Sequence, residues 1–337
     1  MSRISVLGAG AWGTALALVL ARSGENEVTL WSHRPEAAEE MNNARENRRF
    51  LPGYFFPGDL EVTADDAQAV VDADILVIAV PSEFLRPTLA RLVPFMHSGQ
   101  IIVSTTKGIE DQTYLRMSEV IHACLAEAKL DLPVGVLSGP SFAQETAAGM
   151  PTAVTIAFAD PAVASQIQHE FSKGSLRLYT NTDVAGVEIG GALKNVIAIA
   201  AGVLAGLGMG QNSVAALITR GIAEMTRLAV AAGGQQQTLA GLSGIGDLVL
   251  TCTGSLSRNR TVGSELGRGR KLPEILDGLG GKVAEGVRTT RAALGLARKL
   301  DVHMPITEQM ELILDEGKDP MQAIRDLMLR PMRDEED

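Results

Sequence analysis

Residues 4–13 read Ile-Ser-Val-Leu-Gly-Ala-Gly-Ala-Trp-Gly, so a short apolar run delivers the chain straight into G-x-G-x-x-G. A helical pattern over residues 14–22 follows at once, and a second apolar run over 27–31 completes a β-α-β unit. That placement constrains the fold more than the glycines alone do. Gly8 permits the tight turn after the strand, and Gly10 lets the backbone approach a pyrophosphate. Gly13 lets the next helix pack closely on the sheet, with its first N–H groups facing the anion. The unit reads as a dinucleotide site. A glycine-rich turn with a purely structural role is the plainer alternative.

The second strand ends in Trp31-Ser32-His33-Arg34. Units that prefer NAD carry Asp or Glu about 20 residues beyond the glycines, on the ribose hydroxyls. Here that place holds His33 and Arg34, and an arginine accommodates a 2′-phosphate instead. NADP(H) is therefore favoured as cofactor, with NAD(H) also possible. The competing reading makes Arg34 a solvated loop residue.

Apolar strand patterns recur at residues 74–80, 100–105 and 134–138, separated by helical patterns such as 83–94 and 114–129. Strands alternating with helices predict a doubly wound, mostly parallel sheet, an α/β Rossmann domain. Two more strands, 152–158 and 176–180, flank a helix near 162–171 and extend the same sheet. After residue 183 the pattern becomes helical throughout: 184–207, 213–232, 260–267, 284–300 and 321–329. The expected domains are 1–183, binding a dinucleotide, and 184–337, an all-α substrate and catalytic domain. The longest apolar run, 196–210, is dotted with glycines and falls short of a bilayer span of about 20 residues. It reads as a buried core helix, with no stable membrane insertion. The segment 49–57 gathers Phe50, Tyr54, Phe55 and Phe56 and reads as a packed flap, with a lid as the alternative.

The formal net charge of −10, without any block of Lys or Arg, argues against nucleic acid as a partner. The two cysteines, Cys124 and Cys252, form neither a disulfide framework nor a zinc pattern, which suits a reducing cytoplasm. The chain starts directly in a strand, leaving no room for a signal peptide. The five histidines are scattered, and no metal is expected.

In an open α/β sheet, ligands sit beyond the carboxyl ends of the strands. Thr105-Thr106-Lys107-Gly108 closes one such strand, and Lys107 there can meet a phosphate or a carbonyl oxygen; a surface lysine is the alternative. Ser138-Gly139-Pro140-Ser141-Phe142-Ala143 leads from strand to helix, where backbone N–H groups and the Ser141 hydroxyl are natural anion donors. Lys194 lies in a helix that is apolar on nearly all sides. A lysine in such a place is either paired or loses proton affinity, and either state suits a general acid/base; a structural, salt-bridged lysine is the alternative. Gly190 and Gly191 beside it indicate the close approach of another backbone or of a cofactor ring. Asp247 ends the glycine-rich segment 241–246, placed to orient Lys194, to accept a substrate hydroxyl, or to cap the helix that follows. Ser257-Arg258-Asn259-Arg260 offers a hydroxyl, a guanidinium fork and an amide, which suit a phosphomonoester. Glu285 opens a later helix as an acceptor or as a plain cap.

The stretches GAGAWGTALA, TTKGIE, SGPSFA, GGALKNVIAIAAG, LITRGIAEM, GIGDLVLTCT, SRNR, VAEGVRT and MPITE, in this order over residues 4–306, resemble the NAD(P)-dependent glycerol-3-phosphate dehydrogenases of the bacterial type. The resemblance implies reversible reduction of dihydroxyacetone phosphate to sn-glycerol 3-phosphate, for phospholipid synthesis in the cytoplasm. It also implies a helical second domain of the 6-phosphogluconate dehydrogenase-like kind and a homodimer. Carried over by motif, Lys194 is the catalytic proton donor and acceptor and also contacts substrate. Lys107, Gly139, Ser141, Asp247, Ser257, Arg258 and Asn259 are substrate positions. Gly8, Gly10, Ala11, Trp12, Gly13, His33, Arg34, Lys107, Ala143, Arg258, Val283 and Glu285 are cofactor positions. Ala11 departs from the family, which often has Ser or Thr there; a hydroxyl contact is lost while the backbone N–H remains. The rival readings are a β-hydroxyacid or 6-phosphogluconate-type dehydrogenase and a non-catalytic NAD(P)H-binding protein.

Overall fold

A computed structural model describes residues 1–278, 284–332 and 334. The chain divides into two compact units, Met1–Thr106 with Met117–Val184, and Lys107–Arg116 with Ala185–Asp337. A single cut between 183 and 184 therefore misses one feature: the ten residues from Lys107 belong with the helices, although they are inserted in the sheet sequence.

The first unit is built on one eight-stranded sheet: β1 (Arg3–Leu7), β2 (Glu27–Trp31), β3 (Glu61–Thr63), β4 (Ile75–Ile78), β5 (Ile101–Ser104), β6 (Val134–Ser138), β7 (Thr152–Ala157) and β8 (Leu176–Asn181). Their order is β3-β2-β1-β4-β5-β6-β7-β8, and every neighbouring pair is parallel except β6 with β7. The central strands β4, β5 and β6 are buried along their whole length, which is why they read as unbroken apolar runs. Because β1, β2, β5 and β6 run the same way, the β1 turn, the His33–Arg34 corner and the Gly139 segment all lie at the same edge of the sheet.

The glycines of the first turn do three separate jobs. Gly8 has φ +128, and a Cβ there would lie 2.6 Å from the carbonyl oxygen of Ala79. A Cβ on Gly13 would lie 2.0 Å from the Gly8 carbonyl oxygen, whereas one on Gly10 would meet nothing within 4 Å. Asn47, two residues before the flap, bonds to this turn. The Asn47 amide, buried, donates to the Ala9 carbonyl (2.9 Å) and to Thr14 Oγ1 (2.8 Å), while Leu51 and Phe56 are buried and Phe55 is exposed.

In the second unit, the helix Val184–Gly206 is long and apolar enough to cross a bilayer, yet 89% of its most apolar window is buried in the protein. Its glycines have a packing cause. Cβ atoms on Gly202 and Gly206 would lie 2.1 Å and 2.2 Å from backbone oxygens of Arg260 and Ser264. Reciprocally, Cβ atoms on Gly263 and Gly267 would lie 1.9 Å and 2.4 Å from those of Ile199 and Val203. Two glycines four apart on each helix thus bring the helix Arg258–Gly267 backbone to backbone against the long one. Other helices, including Gln211–Ala231, Glu285–Lys299 and Pro305–Asp315, share the same apolar core. Glu224, fully buried, accepts from the backbone N–H groups of Ile306 and Thr307 and from the Thr307 hydroxyl, closing the start of the last of these.

One expected element differs. The helix expected from residue 114 starts at Met117, because Tyr114 has φ +60 and Ile109 pairs with Arg116 in a small antiparallel bridge. β3 and the helix Pro305–Asp315 were not expected; a three-residue strand carries too little periodicity to read.

The glycine geometry gives a paired expectation. Gly13→Ala should lower unfolding stability by about 1–3 kcal/mol, the usual cost of overpacking. Gly10→Ala should change it by no more than about 0.5 kcal/mol, as at an open site. Urea melts of the ligand-free proteins check this; equal losses at both positions would contradict the assignment of roles.

Candidate active site

The helical unit places two ammonium groups on one buried carboxylate. Lys194 Nζ donates to Asp247 Oδ1 at 2.8 Å and to Thr251 Oγ1 at 2.9 Å. Lys107 Nζ donates to Asp247 Oδ2 at 2.6 Å. Asp247 is 1% exposed and Lys194 7%. Thr251, one helical turn beyond Asp247, returns its own hydroxyl proton to the Asp247 backbone carbonyl at 2.6 Å. Asp247 therefore has a direct partner on each oxygen. Its segment is not a loop: residues Leu242–Gly246 form a π-helical turn that runs into the helix Asp247–Thr253. π-Turns are rare and concentrate at functional sites.

Gly190 explains how this turn reaches Lys194. A Cβ there would lie 2.6 Å from the Ser243 carbonyl oxygen, so the close approach expected at this glycine is that of a backbone.

Burial drives the Lys194 ammonium down, and although Asp247 pulls it back up, Lys107 opposes, leaving it at about 8 rather than 10.5. Burial pushes the Asp247 carboxyl up, but the two lysines outweigh it and hold it below its ordinary value. Burial raises Glu285, against the pull of Arg258, Lys107 and Lys194.

A second network adjoins the first. Asn259 Nδ2 donates to Asn195 Oδ1 (2.9 Å), and Asn259 Oδ1 accepts from the Gly286 N–H (3.0 Å). Asn195 Nδ2 donates to Glu285 Oε2 at 3.4 Å. Ser257 caps the helix Arg258–Gly267 by accepting from the Arg260 N–H at 3.2 Å. The Ser257 hydroxyl proton and one Asn259 amide proton remain for a ligand, and the Arg258 side chain stands exposed beside them. The helical unit thus brings together Lys107, Lys194, Asp247, Asn259 and Glu285. Thr251 and Asn195 escaped the sequence reading. The four-residue spacing of Asp247 and Thr251 on one helix was an available signal for the first; Asn195 gave none beyond its place next to Lys194.

The sheet unit carries the remaining positions. The helix Ala11–Arg22 begins at Gly10 with no side-chain cap, so the first N–H groups, of Ala11 and Trp12 among others, are left for a ligand over the open space at Gly10. This fits a pyrophosphate. At the end of β2, Asp66 is engaged by the Trp31 indole (3.1 Å) and by Arg91, and no carboxylate stands among residues 31–34. Partial burial and, after it, the Arg34 and Arg91 guanidiniums push His33 below its ordinary value. Gly139 has φ +151, and a Cβ there would lie 2.9 Å from Val154 Cα. Ser141 Oγ donates to the Gly139 carbonyl at 3.0 Å, and Ala143 opens the short helix Ala143–Ala147. Val283 lies outside the described residues.

Comparison with known proteins gives the family. Residues 3–164 match the model of the NAD-dependent glycerol-3-phosphate dehydrogenase N-terminus, and residues 183–325 that of its C-terminus. A glycerol-3-phosphate dehydrogenase (NAD(P)+) of Acidobacterium capsulatum is 61% identical over 99% of this chain and 100% of that one. The structure of glycerol-3-phosphate dehydrogenase from Coxiella burnetii is 41% identical and superposes with a TM-score of 0.92, covering 98% of this chain and 99% of the other. That of Saccharomyces cerevisiae is 26% identical with a TM-score of 0.84, over 98% and 99% of the two chains. This chain belongs to the NAD-dependent glycerol-3-phosphate dehydrogenase family.

Proposed function

We infer that this protein is an NAD(P)-dependent glycerol-3-phosphate dehydrogenase, an oxidoreductase that interconverts dihydroxyacetone phosphate and sn-glycerol 3-phosphate and so supplies phospholipid synthesis. The observation that carries the chemistry is the sharing of Asp247 by Lys194 and Lys107, deep in a unit with a phosphate-suited cluster at Ser257, Arg258 and Asn259.

In the reductive direction, the substrate ketone oxygen gains negative charge as C2 is reduced. Lys194 donates its proton to that oxygen, and Lys107 stabilises the charge while it develops. Asp247 orients both lysines and keeps two ammonium groups tolerable at close range. In oxidation Lys194, neutral, takes the hydroxyl proton. A lysine at about 8 is suited to both directions near neutrality. The phosphate is held by Arg258 as a bidentate fork, by the Ser257 hydroxyl and by the free Asn259 amide proton. Gly139 and Ser141 are further substrate positions in this reading.

The nicotinamide, when bound, supplies the hydride to C2 and removes it in the reverse reaction. Gly8, Gly10, Ala11, Trp12 and Gly13 hold its pyrophosphate, and His33 and Arg34 read the adenosine end. Ala143, Glu285, Arg258, Lys107 and Val283 complete the cofactor set in this reading, which also takes NADP(H) as favoured, a homodimer as the assembly and the cytoplasm as the location.

Addition of dihydroxyacetone phosphate to enzyme and NADPH, followed by loss of NADPH absorbance, tests the activity. Lys194→Ala should lower turnover on the order of 10²-fold or more while NADPH binding, followed by fluorescence, survives. In the unaltered enzyme, reduction needs protonated Lys194 and should decline as pH rises through about 8, while oxidation should increase over the same interval. Near-normal turnover of the alanine variant would remove Lys194 from the mechanism.

Arg34→Asp tests the cofactor preference, because it removes an attractive charge and adds a repulsive one at the 2′-phosphate. NADPH efficiency should fall by ~2–4 kcal/mol, and NADH efficiency should change far less. The ratio of kcat/KM for the two cofactors decides it. Equal losses for both would mean that Arg34 supports the loop only.

A further inference from the structure

Lys107 reaches Asp247 from an unusual place. It is the first residue of the inserted segment Lys107–Arg116, which clusters with the helices and not with the sheet from which it emerges. The segment is a small self-bonded hairpin. Ile109 bridges Arg116, the Glu110 N–H donates to the Leu115 carbonyl at 2.9 Å, and the Tyr114 N–H donates to the Glu110 carbonyl at 3.0 Å. Gln112 and Tyr114 hold left-handed backbone, at φ +69 and +60.

Three contacts fasten this strap to the helical unit. Ile109 is buried in its apolar core, with Tyr114 packed against the same core. The Tyr114 ring lies on Gly295 so closely that a Cβ there would fall 2.1 Å from ring carbon Cε1. The Arg116 guanidinium donates to Glu188 Oε2 at 2.7 Å, with both side chains largely buried. Glu188 stands six residues before Lys194 on the same helix, and Gly295 lies on the helix that Glu285 begins. The strap is therefore tied to the helix that carries Lys194 and to the helix that Glu285 begins, while Asp247 stands on a third, Asp247–Thr253. A buried pair such as Arg116 with Glu188 is a poor source of stability. Its use here is to fix a position.

We propose that Tyr114, Arg116, Glu188 and Gly295 are positioning residues for the reaction: together they lock the Lys107–Arg116 strap so that Lys107 stays on Asp247 and divides that carboxylate with Lys194. The proposal rests on the reading of Lys107 and Lys194 as the reactive pair. It separates two roles of the strap. Lys107 touches the reacting groups, whereas Tyr114 and Arg116 act only through it.

The lock has a consequence that a merely structural role lacks. The groups that face Lys194 are Asp247 and Thr251 on one helix, Glu285 on another, Cys252, whose thiol burial pushes up to about 12, and Lys107 on the strap. Of these only Lys107 moves when the strap loosens. Lys194 then keeps the carboxylate to itself and loses a neighbouring positive charge, so it binds its proton more tightly. The upper pH limit of ketone reduction moves up, even as turnover falls for want of the Lys107 charge.

Gly295→Ala is the most direct probe, because alanine favours helix more than glycine does and the three atoms nearest its methyl all belong to the Tyr114 ring. Arg116→Gln breaks the ion pair, and Arg116→Lys is the conservative comparison. Reduction of dihydroxyacetone phosphate is measured from about pH 6 to 10, with NADPH affinity from fluorescence and folding from circular dichroism. Gly295→Ala and Arg116→Gln should lower kcat by about 10- to 100-fold, the scale of misplacing a reacting group by about 1 Å. They should raise the upper pH limit by about half a unit or more and leave NADPH affinity within about 2-fold. Arg116→Lys should recover much of both effects. Lys107→Ala serves as the reference. If it lowers kcat while folded Gly295→Ala and Arg116→Gln keep wild-type kcat and pH profile, the positioning proposal is wrong. Should Lys107→Ala itself behave as wild type, the underlying reading of the lysine pair fails instead. If Arg116→Gln does not fold, Gly295→Ala decides alone.

Discussion

A carboxylate buried to 1% exposure sits at the centre of the helical unit, and everything around it is arranged to make that burial tolerable. An isolated ion in such a place costs several kcal/mol even after relaxation. Asp247 is stabilised by one ammonium on each oxygen, and Lys194 is in turn steadied by Thr251. Two lysines and one aspartate leave a local excess of positive charge in a chain whose formal net charge is −10. Arg258, exposed near Glu285, adds to it. That excess is what an anionic triose phosphate requires, while burial, with Lys107 beside it, lowers Lys194 into a range where it can both give and take a proton.

Such an arrangement works only if the backbones cannot drift. The glycines of the helical unit supply much of this rigidity. Gly202, Gly206, Gly263 and Gly267 let two helices meet backbone to backbone, which sets Ser257, Arg258 and Asn259 against the helix of Lys194. Gly190 admits the π-turn that ends at Asp247. Each of these glycines gives up helix propensity, at about 1 kcal/mol relative to alanine, in exchange for proximity. The turn between β1 and its helix follows the same logic with a different end: Gly8 and Gly13 are crowded by backbone, and Gly10 is left open toward the anion site.

What the sequence makes legible is what is local. The G-x-G-x-x-G turn is readable because its strand, glycines and helix are contiguous, and the parallel sheet because buried strands read as unbroken apolar runs. The odd charge of Lys194 stands out because the helix on either side, 189–193 and 196–204, is apolar. The pairing of Asp247 with Lys107 is not legible, since 140 residues separate them and nothing local marks the contact. The helical pattern 114–129 takes in only the last three residues of the strap, and the left-handed backbone of Tyr114 leaves no trace in periodicity. At Gly190 the sequence left two neighbours open, a backbone or a cofactor ring, and the Ser243 carbonyl is the one observed. The glycine pairs four apart on both helices were a readable signal of close packing, but their partner helix was not.

The central claim is that the Asp247 charge, divided between two lysines, holds the proton affinity of Lys194 up against its burial. The pH dependence of dihydroxyacetone phosphate reduction in Asp247→Asn tests it most directly, since asparagine keeps the shape and removes the charge. Lys194 would then lose its attractive partner and retain the repulsion of Lys107, so the account predicts lower turnover and an upper pH limit displaced below about 8. An upper limit that stays where it is in the unaltered enzyme, or moves to higher pH, would contradict it.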